Sequence, residues 1–127
     1  MSVRALLLKT GSIDVEEIQT DGSLSDLQSL VDGYIECPFI SEQLYNHGIS
    51  VCINEEGKLR ELPVSMIIVD ENRRMLDVVC GNVVFANHTI NGQLCDLTDE
   101  QVGFVRNLLS DFATSPDSGL AVLLPYR

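Results

Sequence analysis

Leu24, Leu27, Leu30 and Val31 recur at helical spacing behind Asp21-Gly22-Ser23. That pattern predicts a short helix over Ser23–Asp32, capped by Ser23 with Asp26 completing a small capping box, and stopped by Gly33 in the left-handed conformation. A second amphipathic run, Val102, Val105, Leu108, Leu109 and Phe112, follows Thr98-Asp99-Glu100-Gln101. It predicts a helix over Asp99–Phe112 with a Thr98/Gln101 box at its start.

Between these runs the period is two or the apolar stretch is continuous. Val3 to Lys9 reads as a strand buried on both faces. Thr10-Gly11-Ser12 is a turn, and the alternation Ile13-Asp14-Val15-Glu16 predicts the returning strand of a hairpin, ending at Glu17-Ile18. Tyr34 to Ile40 reads as a strand that Pro38 confines to an edge or a bulge, and Ser41 to Gly48 as an irregular polar segment. Ile49, Val51 and Ile53 alternate with Ser50, Cys52 and Asn54, which predicts a half-buried strand. Glu55-Glu56-Gly57 then turns the chain into a partner strand, Lys58 to Leu62, ended by Pro63.

Further along, Met66–Val69 suits a strand, and Asp70–Arg74 a loop or one helical turn. Val78–Cys80 and Val83–Ala86 flank Gly81-Asn82, as either a hairpin or one kinked strand. Asn91-Gly92 predicts a two-residue type I′ turn. The fold class that follows is α+β: a mostly antiparallel sheet of about six strands with two helices packed on it. Residues 1–113 form one domain. Residues 114–127 are a linker and an apolar tail, Leu120–Leu124, that packs on the domain's own sheet or on the exposed edge of a second copy.

Charge narrows the function more than any motif does. The net charge is −11, and between Lys9 and Lys58 stand ten carboxylates with no Lys or Arg. Such a surface repels phosphate backbones and anionic lipid, so direct nucleic-acid and membrane binding are not expected, and it favours a protein partner with a basic surface. Asp14, Glu16, Glu17, Asp21, Glu55 and Glu56 are the candidate contacts. An apolar content of 45% provides enough Leu, Val and Ile for a packed core. The apolar stretch after Met1-Ser2-Val3-Arg4 is too short for a signal-peptide core and no run is long enough to span a bilayer, which points to the cytoplasm.

Cys37, Cys52, Cys80 and Cys95 are widely spaced and include no Cys-x-x-Cys, so neither a zinc site nor a disulfide framework is expected. They read as reduced, structural side chains. No metal and no cofactor is expected, because the carboxylates never approach a calcium-loop spacing and the phosphate-cradling glycine loops are missing. No Gly-x-Ser-x-Gly occurs, and the balance falls against an enzyme.

Two features compete with that reading. A two-residue turn at Asn91-Gly92 pairs His88 with Cys95, a thiol beside an imidazole. An ordinary cross-strand pair outweighs it, since no third group orients the imidazole. Arg73-Arg74, the one basic pair, together with Lys58 and Arg60 makes a small positive spot suited to a phosphate-bearing ligand. Solvated charges balancing an acidic molecule outweigh that too.

Gly33-Tyr34-Ile35-Glu36, Ile53-Asn54-Glu55-Glu56-Gly57-Lys58-Leu59 and Leu62-Pro63 resemble a family of small phage, plasmid and bacterial proteins known as domain of unknown function 3846. Val3-Arg4-Ala5-Leu6-Leu7, Gly81-Asn82-Val83-Val84 and Asp96–Val102 fit its pattern as well, with Asn82 where the family usually has Asp. The resemblance covers roughly the first four-fifths of the chain and fits least well at Val64–Asp77 and after Ala113. It implies a phage or mobile-element setting and no particular activity. The expectation is a non-catalytic acidic module, a polyanion mimic that engages a basic host protein and is capable of forming a homodimer.

Overall fold

The fold comes from a computed structural model, which describes residues 2–12, 14–111 and 122–125. In chain order the elements are β1 (Val3–Leu8), β2 (Glu16–Thr20), α1 (Leu24–Val31), β3 (Ile35–Glu36), α2 (Glu42–Asn46) and β4 (Ile49–Asn54). Then come β5 (Val64–Val69), β6 (Met75–Cys80), β7 (Val83–His88), β8 (Leu94–Cys95), α3 (Asp99–Asp111) and β9 (Val122–Pro125). Six strands form an antiparallel sheet in the order β2-β1-β7-β4-β3, with β8 paired to β7. The α+β class and the antiparallel sheet of about six strands are as expected. A second sheet, β6-β5-β9, stands apart from the single sheet that the pattern predicts.

The large sheet is covered on both sides. One face carries Ala5, Leu7, Cys52, Val84 and Ala86 against Leu27 and Val31 of α1. The other carries Leu6, Leu8, Val51, Ile53 and Phe85 against Leu44 of α2, Val102 and Val105 of α3, and Met66 and Ile68 of β5. Each fully buried side chain of this size contributes about 1.5–3 kcal/mol, so the second layer is the principal core. The α1 layer explains why β4 is buried on both faces where its alternation predicts one: Cys52 and Asn54 lie under α1.

Capping chemistry reads through to the structure. Ser23 Oγ accepts from the Asp26 amide at 3.1 Å. Thr98 Oγ1 accepts from the Gln101 amide, and Gln101 Oε1 accepts from the Thr98 amide, both at 3.0 Å.

Several expectations need correction. The strand returning to β1 is Glu16–Thr20, beyond Asp14-Val15-Glu16, with Leu7 opposite Glu16. Five register pairs join the two strands, from Val3 with Thr20 to Leu7 with Glu16. Asp32, at φ 61°, takes the left-handed position assigned to Gly33. The strand over Tyr34–Ile40 shrinks to Ile35–Glu36, although it does form the sheet edge. Ser41 caps a helical turn, α2, in the segment expected to be irregular. Lys58–Leu62 is a run of turns, not a strand, because the Gly57 carbonyl accepts from the Leu62 amide and coils the chain on itself.

Neither reading of Gly81-Asn82 holds. β6 ends in the small sheet and β7 begins in the large one, so these two residues form the corner between sheets. Gly81 has φ 98° there, a conformation that favours glycine. The β9 strand runs parallel to β5, with Met66 opposite Val122 and Ile68 opposite Leu124. Ile13, Phe112 and the Thr114–Gly119 linker lie outside the described residues.

Candidate functional site

The first feature is a cleft of about 530 Å³. Its floor is apolar, with Ile53 of β4, Ile68 of β5 and Val79 of β6. Phe39, Leu59 and Leu76 line it while remaining 52%, 85% and 53% exposed. Leu59 is exposed because Lys58–Leu62 does not fold back as a strand. Glu36 and Glu55 also stand on the wall, beside the Lys58–Asp77 ion pair at 2.5 Å. Lys58 donates to the Asp77 carboxylate and holds it below its ordinary range. The one lysine on the wall is thereby neutralised, and Glu36 and Glu55 leave the wall net negative.

The second feature lies on the α1 side of the large sheet. Extending the Glu36–Ile53 pairing by one residue puts Cys37 opposite Cys52, and the two sulfurs are 3.1 Å apart. Cys37 is exposed and Cys52 is buried. Donation from the Cys52 thiol brings Cys37 down to about 7 from the ordinary 9.0. Cys52 moves in the opposite direction, held up by its bond to Cys37 and by burial. Both thiols line a cavity of about 670 Å³, together with Ser50, His88 and Asp21. His88 Nδ1 and Ser50 Oγ are hydrogen-bonded at 2.8 Å.

The expected His88–Cys95 pair is not formed. The observed register is His88 with Leu94 and Asn87 with Cys95. The Thr89 amide donates to the Gln93 carbonyl, so the loop holds Ile90, Asn91 and Gly92, one residue more than a type I′ hairpin. A one-residue shift sends His88 and Cys95 to opposite faces. Arg73 and Arg74 sit in the β5–β6 turn and line none of the cavities described for this fold.

The candidate carboxylates separate into two groups. Asp14, Glu16, Glu17 and Asp21 follow the β2 edge, while Glu55 and Glu56 follow β4 near the opposite edge, about 14 Å away at the usual strand spacing. Two of the first group are already paired. Glu16 meets Lys9 at 3.1 Å, and Glu17 meets Arg4 at 2.5 Å. Arg4 also reaches Asp99 at 2.7 Å, tying β1 and β2 to the start of α3. Asp21 accepts from the Ser23 amide at 2.8 Å and lies below its ordinary range through hydrogen bonds with Ser23, the side-chain one foremost.

Among the described residues, no group of three or more His, Cys, Asp or Glu side chains is arranged to hold a metal ion, and no helix is long and apolar enough to cross a membrane.

The model of the family described as "Domain of unknown function (DUF3846)" matches residues 3–110. The chain belongs to this family. The match runs through Val64–Asp77, the stretch where the resemblance is weakest. No curated protein and no solved structure matches the chain.

The stretch that carries the family likeness most specifically has a structural role in this fold. Asn54 is buried, and its amide donates to the carbonyls of Val31 at 3.0 Å and Asp32 at 3.2 Å, closing the end of α1 onto β4. Its Oδ1 accepts from the Glu56 amide at 2.7 Å. Gly57 lies so close to β6 that an added Cβ would stand 2.2 Å from the Cys80 carbonyl oxygen. Asn82 joins the first turn to α1, accepting from the Thr10 amide and donating to the Leu30 carbonyl. An Asp there keeps the first bond and loses the second.

The sequence reading missed both cavities. An exposed Phe39 behind Pro38 is the only local sign of the cleft. Cys37 and Cys52 are joined by a long connection through α2, so no turn chemistry announces their register.

Proposed function

We propose that this chain is a non-catalytic interaction module whose cleft holds a basic, partly apolar segment of a partner protein. The observation that carries this reading is the composition of the cleft wall. Phe39, Leu59 and Leu76 offer apolar contact at the surface, Glu36 and Glu55 add negative charge, and Lys58 is neutralised by Asp77. Apolar side chains left exposed around a concavity are characteristic of recognition surfaces. The overall charge of −11 speeds the approach of a basic partner and disfavours an acidic one. In a phage or other mobile element, that partner is a basic host protein. Glu16 and Glu17 contribute long-range charge more than direct contact, because Lys9 and Arg4 already occupy them.

The test uses a fluorescently labelled peptide of Lys and Leu residues and its Glu-for-Lys counterpart, with binding read by anisotropy. The Lys peptide is expected to bind, to weaken with added salt, and to lose at least tenfold in affinity to Leu59→Ser combined with Glu55→Gln. Equal binding of the two peptides, or an undiminished affinity in the double variant, overturns the proposal. Binding to DNA at physiological salt overturns it as well.

A further inference from the structure

We infer that Cys37 and Cys52 form a redox-active dithiol site that exchanges with low-molecular-weight disulfides, with cationic ones preferred. The site has the parts that such exchange requires: an exposed attacking thiol, a buried resolving thiol beside it, and space for the incoming disulfide. Cys37 is exposed, while Cys52 is 2% exposed. Their sulfurs are 3.1 Å apart, roughly 1 Å more than the bond itself requires. The cavity of about 670 Å³ in front of them admits a small molecule. At neutral pH a large fraction of Cys37 is thiolate, near the acidity at which a thiol attacks most effectively.

The reaction balances without any further cofactor. The Cys37 thiolate attacks one sulfur of R–S–S–R, a Cys37–S–S–R bond forms, and RS⁻ leaves and takes a proton from solvent. Cys52 gives its proton to solvent and attacks Cys37 Sγ. The Cys37–Cys52 bond forms, and the second RS⁻ departs and takes a proton from solvent. The protein loses two electrons, and the disulfide becomes two thiols. Cys80 and Cys95 take no part. Cys80 lines the other cleft, and Cys95 pairs with Asn87 on the face opposite His88.

Charge sets the preference. Asp21 lines the cavity and Glu36 immediately precedes Cys37. A disulfide carrying ammonium groups is drawn in, and one carrying carboxylates is held off.

The experiment treats the reduced full-length protein with cystamine, and in parallel with glutathione disulfide. Thiols are counted after unfolding, and the linkage is located by peptide mapping. The expected result is a fall from four thiols to two, a Cys37–Cys52 linkage, and a rate severalfold higher with cystamine than with glutathione disulfide at low salt. Cys52→Ala is expected to stop at a lasting mixed disulfide on Cys37, and Cys37→Ser to leave Cys52 unmodified. Four persisting thiols, a wild-type mixed disulfide that never resolves, or a linkage through Cys80 or Cys95 overturns the site. Equal or reversed rates for the two disulfides overturn the charge preference. The wild-type map and the exposed Cys37→Ser variant decide the matter even if Cys52→Ala fails to fold. The outcome is independent of peptide binding in the cleft.

Discussion

The Asn54 side-chain amide donates to the Val31 carbonyl across 3.0 Å, joining the last turn of α1 to the end of β4 inside the protein. Asn54→Leu keeps the branched outline of the side chain while leaving the Val31 carbonyl and the Glu56 amide short of a partner; the Asp32 carbonyl keeps the Arg60 guanidinium. The expected cost is about 2–3 kcal/mol, seen as a lower urea midpoint with an unchanged slope. A change below a few tenths of a kcal/mol contradicts the stitching role.

Two glycines respond in opposite directions to the same substitution. Gly57→Ala drives a Cβ into the Cys80 carbonyl and is expected to destabilise by about 1–3 kcal/mol or more, because backbone must move. Gly103→Ala, inside α3 with nothing within 4 Å of the added carbon, is expected to stabilise by roughly 0.5–1 kcal/mol. Thermal melts of the two variants check both signs.

Alkylation of Cys37 by iodoacetamide is expected to rise with pH through a midpoint near 7, where its acidity lies. Cys52→Ala is expected to return that midpoint toward 9.0, because the Cys52 hydrogen bond is the largest cause of the shift. Unfolded Cys37 keeps its proton to higher pH, so its contribution to stability grows as pH rises from about 7 toward 9 and is lost as pH falls back through 7. Cys52, shifted upward, reverses the gain at higher pH. Urea midpoints of the reduced protein across that range test the direction.

The Cys37–Cys52 disulfide closes a loop of about fifteen residues, for which chain entropy allows up to about 3 kcal/mol. The oxidised protein is expected to melt several degrees above the reduced one. An unchanged or lower melting temperature means that the bond strains β3 and β4.

Truncation after Thr114 removes β9 and uncovers one edge of β5, whose residues Met66 and Ile68 belong to the main core. The truncated protein is expected to be molten or aggregated by near-ultraviolet circular dichroism and gel filtration. A soluble product with an unchanged melting temperature contradicts the stabilising role of the β5–β9 ladder.

What the sequence determined by itself was local. Ser23 and Thr98 cap α1 and α3 because a hydroxyl three residues before an unpaired amide needs no tertiary partner to reach it. Alternation and apolar runs marked β1, β4, β5 and β7, since those side chains have only a core to enter. The excess of carboxylates over Lys and Arg is likewise a property of the chain alone.

Tertiary structure decided the rest wherever one residue of register or one change of sheet mattered. A single extra loop residue parted His88 from Cys95, and a corner at Gly81 placed β6 and β7 in different sheets. Cys37 met Cys52 only because β3 and β4 pair across a connection that no turn motif governs. Side-chain facing alternates with period two, so a pairing set by long-range packing cannot be read from the residues of either strand alone.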